Sequence, residues 1–202
     1  MNILITIVCF LLSYLYGSVP FALVIGKLFY HTDVREKGSG NLGGTNAGRV
    51  LGKKAGFSVI LLDASKCIVA IAIVKMIASH FNINPDIIYP CAFICILGHC
   101  YPIFAGFKGG KGVSSAIAYA LYTNWIGFII GVCVFMITLK ISKYVSLSSI
   151  LGSIAILIAS PFIGYSLSGI FTNLCIVLLI VYKHHSNIER IKNKTENKVS
   201  WL

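Results

Sequence analysis

The pattern of apolar and polar positions divides the chain into long hydrophobic runs separated by short polar segments. A membrane-spanning helix needs about 20 mostly apolar residues. Runs of this kind occur at 3–25, 55–78, 86–105, 145–162 and 168–182. The run at 113–141 is too long for one helix, and Thr123, Asn124 and Trp125 interrupt it, so two short helices are expected there. The pattern therefore predicts about seven transmembrane helices.

Composition supports this class of protein. Hydrophobic residues make up 57% of the chain and charged residues 11%, whereas soluble domains carry about 25% charged residues. An ordinary soluble enzyme and a disordered chain are therefore excluded. The expected fold is an all-α integral membrane protein, a polytopic bundle that forms a single domain over residues 1–202. Gly17, Ser18 and Pro20 interrupt the first run, so a kink or a close helix contact is expected there.

The basic residues predict the topology of the bundle. The chain has 17 Lys and Arg against 6 Asp and Glu, a net charge of +11. Fifteen of the basic residues lie in four segments at 27–54, 106–112, 140–143 and 183–198, and the alternate connections have none. Because cytoplasmic loops concentrate Lys and Arg, the amino terminus is expected outside and the carboxyl terminus in the cytoplasm.

The first basic segment, 27–54, contains the glycine-rich stretch SGNLGGTNAGR at 39–49. A nearby GxGxxG match does not predict a dinucleotide-binding fold, because a membrane helix rather than a β-strand precedes it. Glycines let backbone N–H groups surround an anion, and an arginine can bind phosphate through two parallel hydrogen bonds. The candidate ligands are Ser39, Gly40, Asn41, Gly43, Thr45, Asn46 and Arg49. A flexible loop without a ligand is the alternative.

The second segment reads KGGKGVSS at 108–115. It lacks the spacing of a nucleotide-hydrolysing P-loop, so that chemistry is rejected. A glycine turn with two lysines that opens into a helix at about Val113 suits a phosphate, since helix N-termini attract anions. A plain basic loop is the alternative. The candidate ligands are Lys108, Gly109, Gly110, Lys111, Gly112 and Ser115.

The third segment follows the last apolar run and contains His184, Asn187 and Arg190. If the last helix continues, these side chains lie one turn apart on one face. A solvated basic tail attracted to anionic lipid is the alternative.

Three charged residues, Asp63, Lys66 and Lys75, lie inside the apolar run at 55–78. Asp63 and Lys66 are spaced i, i+3 and can contact each other on a helix. Because an unpaired charge in hydrocarbon costs several kcal/mol, about 2.5 or more, a structural ion pair is the favoured interpretation. His99, near the cytoplasmic end of the run at 86–105, is as consistent with a packed residue as with a functional one. The seven cysteines include no CxxC pair, so no metal site is expected.

Together these segments resemble the bacterial acyl-phosphate:glycerol-3-phosphate acyltransferase family. The motifs of that family look like SGNxGATNxxR, KGGKGVAT and HxxNIxRLxxGxE, and this chain has SGNLGGTNAGR, KGGKGVSS and HHSNIERIKNKTE in the same order. GSVPF at 17–21, LDASK at 62–66 and YVSLSSI at 144–150 extend the resemblance. The chain departs from the family pattern at positions 44, 114, 115, 185, 191 and 194, without loss of an obvious reacting group.

The resemblance implies transfer of a fatty acyl group from acyl phosphate to the 1-hydroxyl of glycerol 3-phosphate. The product is lysophosphatidic acid, the first intermediate of phospholipid synthesis. The residues expected to bind the phosphates and orient the hydroxyl are Ser39, Arg49, Lys111, His184 and Asn187. Asp63, Lys66 and Glu196 are expected to be structural. No cofactor, metal ion or nucleic acid is expected.

The resemblance further implies a multi-pass protein of the bacterial inner membrane with the loops at 27–54, 106–115 and 183–198 on the cytoplasmic face. Membrane lipids are expected contacts, and an interaction with the enzyme that makes acyl phosphate is left open. A transporter or channel for a phosphorylated solute is the main alternative, since it would share the basic loops and the helices. A membrane-anchored scaffold would leave three anion-binding segments unexplained.

Overall fold

The apolar runs form α-helices throughout, as the sequence predicts. The computed structural model describes residues 2–199, and no β-strand occurs in that range. The chain divides into two units, residues 1–119 and 120–202.

The first unit contains five complete helices and the start of a sixth. These are α1 (Asn2–Gly17), α2 (Phe21–Tyr30), α3 (Gly44–Leu51), α4 (Lys53–His80), α5 (Ile88–Cys100) and α6 (Val113–Thr123). Single 3₁₀ turns at Pro85–Ile87 and Ile103–Ala105 flank α5. Helix α4 is central, because α1, α2, α3 and α5 all pack against it.

The interruption predicted in the first apolar run is both a break and a close contact. Helix α1 ends at Gly17, and Pro20 immediately precedes α2. A Cβ atom on Gly17 would overlap the backbone carbonyl of Cys95, and one on Gly98 would overlap the carbonyl of Tyr14. Helices α1 and α5 therefore approach closely enough that only glycine fits at these two positions.

The second unit consists of α7 (Trp125–Ser142), α8 (Val145–Ala159), α9 (Leu167–Lys183) and α10 (His185–Lys192). Helix α8 packs against both α7 and α9. The break predicted at 123–125 is confirmed at Asn124. Its side chain accepts a hydrogen bond from Gly127 N at 3.0 Å and donates one to Ile163 O at 2.7 Å. The amide thereby caps the start of α7 and holds the α8–α9 connection.

The helix lengths bear on the predicted number of spans. Four described segments are long and apolar enough to cross a bilayer: Asn2–Tyr30, Lys53–His80, Pro85–Ala105 and Trp125–Ser142. The bent pair α9 and α10 makes a fifth if it counts as one span, and the apolar α8 is shorter. Helix α6 has 11 residues, or about 16 Å at 1.5 Å per residue, which is short against a core of about 30 Å. The count of seven and the sidedness of the termini stay predictions.

We expect Gly98→Ala to destabilise the first unit, because the new methyl group meets backbone atoms of α1 that cannot rotate away. Overpacking of this kind costs about 1–3 kcal/mol. Thermal unfolding in detergent can be followed with a thiol-reactive dye, since five cysteines of this unit are buried: Cys9, Cys67, Cys91, Cys95 and Cys100.

Gly48→Ala is the matched control for this substitution. A Cβ at Gly48 would have its nearest neighbour at 3.6 Å, an ordinary contact with Gly56, and alanine is favoured over glycine within a helix by about 0.5–1 kcal/mol. An equal loss of stability in the two variants would contradict the close α1–α5 contact.

Candidate active site

The first glycine-rich loop is folded around the carboxamide of Asn46. Its Oδ1 accepts a hydrogen bond from Ser39 N at 2.7 Å, while its Nδ2 donates to Val34 O at 2.9 Å and to Lys37 O at 3.3 Å. Gly38 lies in the left-handed region, with a φ of 63°, where glycine is favoured. Asn46 is buried. Its amide therefore supports the loop, and this corrects its predicted use as a phosphate donor.

Helix α3 carries two of the candidate phosphate ligands, Thr45 and Arg49. Its buried face lies close against α4. A Cβ on Gly44 would overlap Ile60 of α4, so only glycine fits at that position. Thr45 and Arg49 are exposed on the other face, and their i, i+4 spacing places them side by side. Ser39 is also exposed. The loop and α3 thus offer a hydroxyl pair and a guanidinium to an anion in solution.

The second glycine-rich segment contacts the first. Asn41 Nδ2 donates a hydrogen bond to Gly109 O at 3.3 Å, so the two loops are joined within the first unit. Gly112 adopts a φ of 81° and precedes α6, which begins at Val113 as predicted. Lys108 is exposed and Lys111 is half-buried. The structure therefore brings the two predicted phosphate-binding segments together.

Ser115 lies in the interior of the first unit. Its side chain is fully buried, and its hydroxyl donates a hydrogen bond to the backbone carbonyl of Asp63 at 2.8 Å. The contact attaches the first turn of α6 to α4. The predicted role of this hydroxyl in phosphate binding is therefore corrected to helix packing.

The predicted contact between Asp63 and Lys66 is present, within a larger buried cluster. Lys66 Nζ lies 2.9 Å from Asp63 Oδ1 and 3.2 Å from His99 Nδ1. The ammonium also donates to Gly17 O at 3.1 Å and to Val19 O at 2.8 Å. These two carbonyls are available because the α1–α2 break leaves them without helical partners. The Lys66 side chain is only 1% exposed, so these contacts replace the hydration of its ammonium.

The third predicted segment does not continue the last helix. Helix α9 ends at Lys183, and α10 leaves it at an angle of 55°, so the expectation of one straight helical face is wrong. His184 lies at the bend and is buried. Its Nδ1 is 2.8 Å from Ile180 O. Because a carbonyl only accepts, Nδ1 carries a proton in this contact.

Glu196 joins the chain after α10 to the rest of the second unit. Its carboxylate accepts hydrogen bonds from Asn187 Nδ2 at 2.6 Å, Arg190 Nε at 2.8 Å and Ser146 Oγ at 2.8 Å. Burial raises the pKa of Glu196, but the hydrogen bonds from Asn187, Arg190 and Ser146 together hold that pKa below its ordinary value. The sequence analysis missed Ser146, although the YVSLSSI stretch that contains it was a signal. This buried acceptor fixes the side chain of Asn187.

A carboxylate outside the helices also shapes the first segment. The Arg35 side chain hydrogen-bonds Asp33, with 2.6 Å between Nη2 and Oδ2, and holds the pKa of Asp33 at about 2. Among residues 2–199 no group of three or more His, Cys, Asp or Glu side chains is placed to hold a metal ion.

Long apolar helices carrying exposed Leu, Ile and Phe side chains define an integral membrane protein, and its glycine-rich loops carry exposed cations. A family model described as glycerol-3-phosphate acyltransferase matches residues 7–194. The chain belongs to this family, and the predicted resemblance is confirmed. Membership places the chain among the acyltransferases.

Curated relatives carry the same description. A glycerol-3-phosphate acyltransferase of Listeria monocytogenes is 44% identical, covering 95% of this chain and 96% of its own length. Glycerol-3-phosphate acyltransferase 2 of Bacillus anthracis is 45% identical, covering 96% and 98%.

Two solved structures share the fold. Crystal structures of PlsY (YgiH), an integral membrane glycerol 3-phosphate acyltransferase, match at 96% coverage of this chain. The glycerol 3-phosphate form has a TM-score of 0.88 and 33% identity. The lysophosphatidic acid form has a TM-score of 0.86 and 32% identity. The all-α integral membrane class predicted from the apolar runs is thereby confirmed.

We expect Lys66→Met to destabilise the first unit strongly, because it leaves the Asp63 carboxylate buried without its cation. Breaking a buried ion pair costs about 3–5 kcal/mol, whereas replacing both partners with apolar or neutral groups is much milder. The double variant Asp63→Asn with Lys66→Met should therefore unfold at a higher temperature than Lys66→Met alone. Melting in detergent measures both, and additive losses would contradict the coupling.

We expect Glu196→Gln to lower the melting temperature at neutral pH, because the ion pair with Arg190 is lost. Hydrogen bonds to a charged group contribute about 1.5–3 kcal/mol. The folded-state pKa is depressed, so the carboxylate stabilises the protein above the unfolded pKa of about 4.3 and this contribution is lost as the pH falls through the folded value. The deficit of the variant should shrink accordingly below pH 4.3.

Glu189→Gln serves as the control for Glu196→Gln. Glu189 is on α10 but exposed, so its neutralisation should leave the melting temperature nearly unchanged at every pH. Circular dichroism in detergent micelles measures both variants. A deficit for Glu196→Gln that persists at low pH would rule out the charged contact as its cause.

Proposed function

We propose that this chain transfers a fatty acyl group from acyl phosphate to the 1-hydroxyl of sn-glycerol 3-phosphate. The products are 1-acyl-sn-glycerol 3-phosphate, which is lysophosphatidic acid, and inorganic phosphate. The observation that carries the proposal is the hydrogen-bonded pair of glycine-rich loops, which presents Ser39, Arg49 and two lysines. The relatives named for glycerol 3-phosphate and the two PlsY crystal forms support the same acceptor and product.

The chemistry needs positioning and charge stabilisation more than a protein nucleophile. Acyl phosphate is a mixed anhydride, and its phosphate is a good leaving group. The 1-hydroxyl oxygen attacks the acyl carbon, the bond from that carbon to the phosphate oxygen breaks, and phosphate departs with the electron pair. Holding the two reactants in line and stabilising the developing charge can supply most of the acceleration.

Each predicted residue then has a chemical task. Arg49 and Lys111 bind phosphate oxygens, with Lys108 raising the local positive potential. Ser39 and Thr45 add hydroxyl donors. The hydroxyl proton passes either to a substrate phosphate oxygen or to Nε2 of His184, whose Nδ1 is committed to Ile180 O at 2.8 Å. Asn187, held by Glu196, orients the acceptor.

The glycines have a separate part in this proposal. Gly43 brings a backbone N–H group of the first loop to the phosphates, while Gly40, whose N–H donates to Lys37 O at 3.1 Å, forms the turn and Asn41 joins the loops. The second loop contributes Gly109 and Gly112 in the same way, whereas Gly110 N already donates to His99 O at 3.1 Å and Gly110 shapes the turn. Backbone N–H groups of such turns bind anions without a charged side chain.

The location of the reaction follows from its substrates. Glycerol 3-phosphate is water-soluble and the acyl chain is apolar, so the reaction belongs at a membrane surface. We place the protein in the bacterial inner membrane with its loops in the cytoplasm, since those loops hold the basic residues. The enzyme that makes acyl phosphate is a proposed partner, because its product is reactive and amphiphilic.

The test uses the purified protein in lipid with labelled glycerol 3-phosphate. We expect labelled lysophosphatidic acid with acyl phosphate and none with acyl-CoA or the acyl carrier protein thioester. Binding of glycerol 3-phosphate without product from any donor would overturn the proposal and favour a transporter, which flux into sealed vesicles would then detect.

The same assay tests the residue assignment. Lys111→Ala should lower kcat/KM by about 100-fold or more, the range found when one stabilising donor is removed from an active site. Lys140→Ala removes an exposed cation at the end of α7 and should leave activity near the unmodified level. Equal effects of the two variants, both folded in detergent, would contradict the assignment of Lys111.

A further inference from the structure

His99 lies between the buried charge cluster and the second glycine-rich loop, and the mechanism above does not use it. One side of its ring faces the cluster, where Nδ1 is 3.2 Å from Lys66 Nζ and 3.5 Å from Asp63 Oδ1. Its side chain is 5% exposed. The charged partners therefore hold the ring in one orientation.

The other side of the ring faces Gly110. A Cβ atom built on Gly110 would overlap Nε2 of His99, and the next two nearest atoms, Cε1 at 2.7 Å and Cδ2 at 3.0 Å, belong to the same ring. Gly110 N also donates a hydrogen bond to His99 O at 3.1 Å. The Gly110 backbone thus packs directly against the imidazole ring of His99.

Two neighbouring glycines of this loop are required by space rather than by backbone conformation. Neither Gly109 nor Gly110 has a positive φ, so an alanine could adopt either conformation. The obstacles differ, however. A Cβ on Gly109 would overlap the backbone carbonyl of His99, whereas a Cβ on Gly110 would meet only the imidazole among its nearest atoms.

We propose that His99 is a positioning residue for the acyltransferase reaction. Its ring, fixed by Lys66 and Asp63, sets the place of the Gly110 backbone and so the position of Lys111, the next residue. The buried ion pair thereby acts on the anion-binding loop through one imidazole. The proposal depends on the proposed function, because it assigns His99 to the loop that would bind substrate phosphate.

The expected consequence is a loss of substrate affinity and rate without loss of fold. A displacement of about 1 Å in a positioning group can cost about 100-fold in rate. His99→Asn keeps a polar group near Lys66 but removes the half of the ring that lies against Gly110. We expect this variant to raise KM for glycerol 3-phosphate and lower kcat, while its melting temperature stays close to that of the unmodified protein.

The decisive experiment is a pair of double-mutant cycles. Gly110→Ala should lower kcat/KM in the unmodified background. In the His99→Asn background the fold-loss in kcat/KM caused by Gly110→Ala should be at least about tenfold smaller, because the overlapping ring edge is gone. Gly109→Ala is the matched control. Its obstacles are the carbonyl of residue 99, the Pro102 ring and the Cys100 backbone. His99→Asn retains all three, so the cost should be the same in both backgrounds.

Three results would overturn the proposal. Equal costs of Gly110→Ala in both backgrounds would show that the ring does not seat the loop. A His99→Asn variant that melts early but retains kcat and KM per folded molecule would show a purely structural role. Full activity and stability in His99→Asn would likewise exclude positioning.

A second measurement separates this proposal from the proposed function. The stabilisation of each variant by added glycerol 3-phosphate gives its apparent affinity without any turnover. If the unmodified protein binds glycerol 3-phosphate but makes no lysophosphatidic acid, the proposed function fails and the cycles are evaluated from affinity alone. Coupling of Gly110 to His99 in affinity would still support the positioning role, and additivity would overturn it.

Discussion

The ammonium of Lys66 is the constraint on which the first unit depends. A cation enclosed by apolar helices must replace its hydration with protein contacts, or its burial costs several kcal/mol, about 2.5 or more. Its partners come from three parts of the unit: Asp63 on its own helix, His99 on α5, and the two carbonyls of Gly17 and Val19. The break between α1 and α2 therefore leaves two carbonyl groups able to accept hydrogen bonds from Lys66, because an unbroken helix would use those carbonyls internally.

Close helix packing in the same unit depends on glycine residues, which have no side chain to separate two helix backbones. Glycines at the α1–α5 contact and at the α3–α4 contact let backbones approach where a methyl group would collide. Such contacts suit a membrane, where apolar side chains gain little by leaving lipid for another helix. On α3 the arrangement also has a functional consequence, since burial of its glycine face leaves Thr45 and Arg49 exposed.

Several features were predictable from the sequence because they are local. Length and apolar content identify helices, a proline or an asparagine marks a break, and i, i+3 spacing places Asp63 beside Lys66. The start of α6 at Val113 followed from the glycine turn before it. The three motifs, taken in order, identified the family. The roles of Ser115 and Ser146 were not predictable in this way, since each depends on a carbonyl or carboxylate distant in the sequence. The partners of Asn46 are nearer, but the irregular path of the loop, which spacing does not predict, brings them to its amide.

The sequence by itself determined the membrane class, the position of most helix boundaries, the family and the set of polar residues available for phosphate chemistry. These depend on composition, on periodicity and on short-range geometry. Only the tertiary structure decided which polar groups are committed to the fold: the Asn46 amide to its loop, the Ser115 hydroxyl to Asp63 O, and Asn187 to Glu196. It also placed His99 between a buried cation and Gly110. The physical reason is that a buried donor must find an acceptor, and packing rather than sequence spacing determines which acceptor is near.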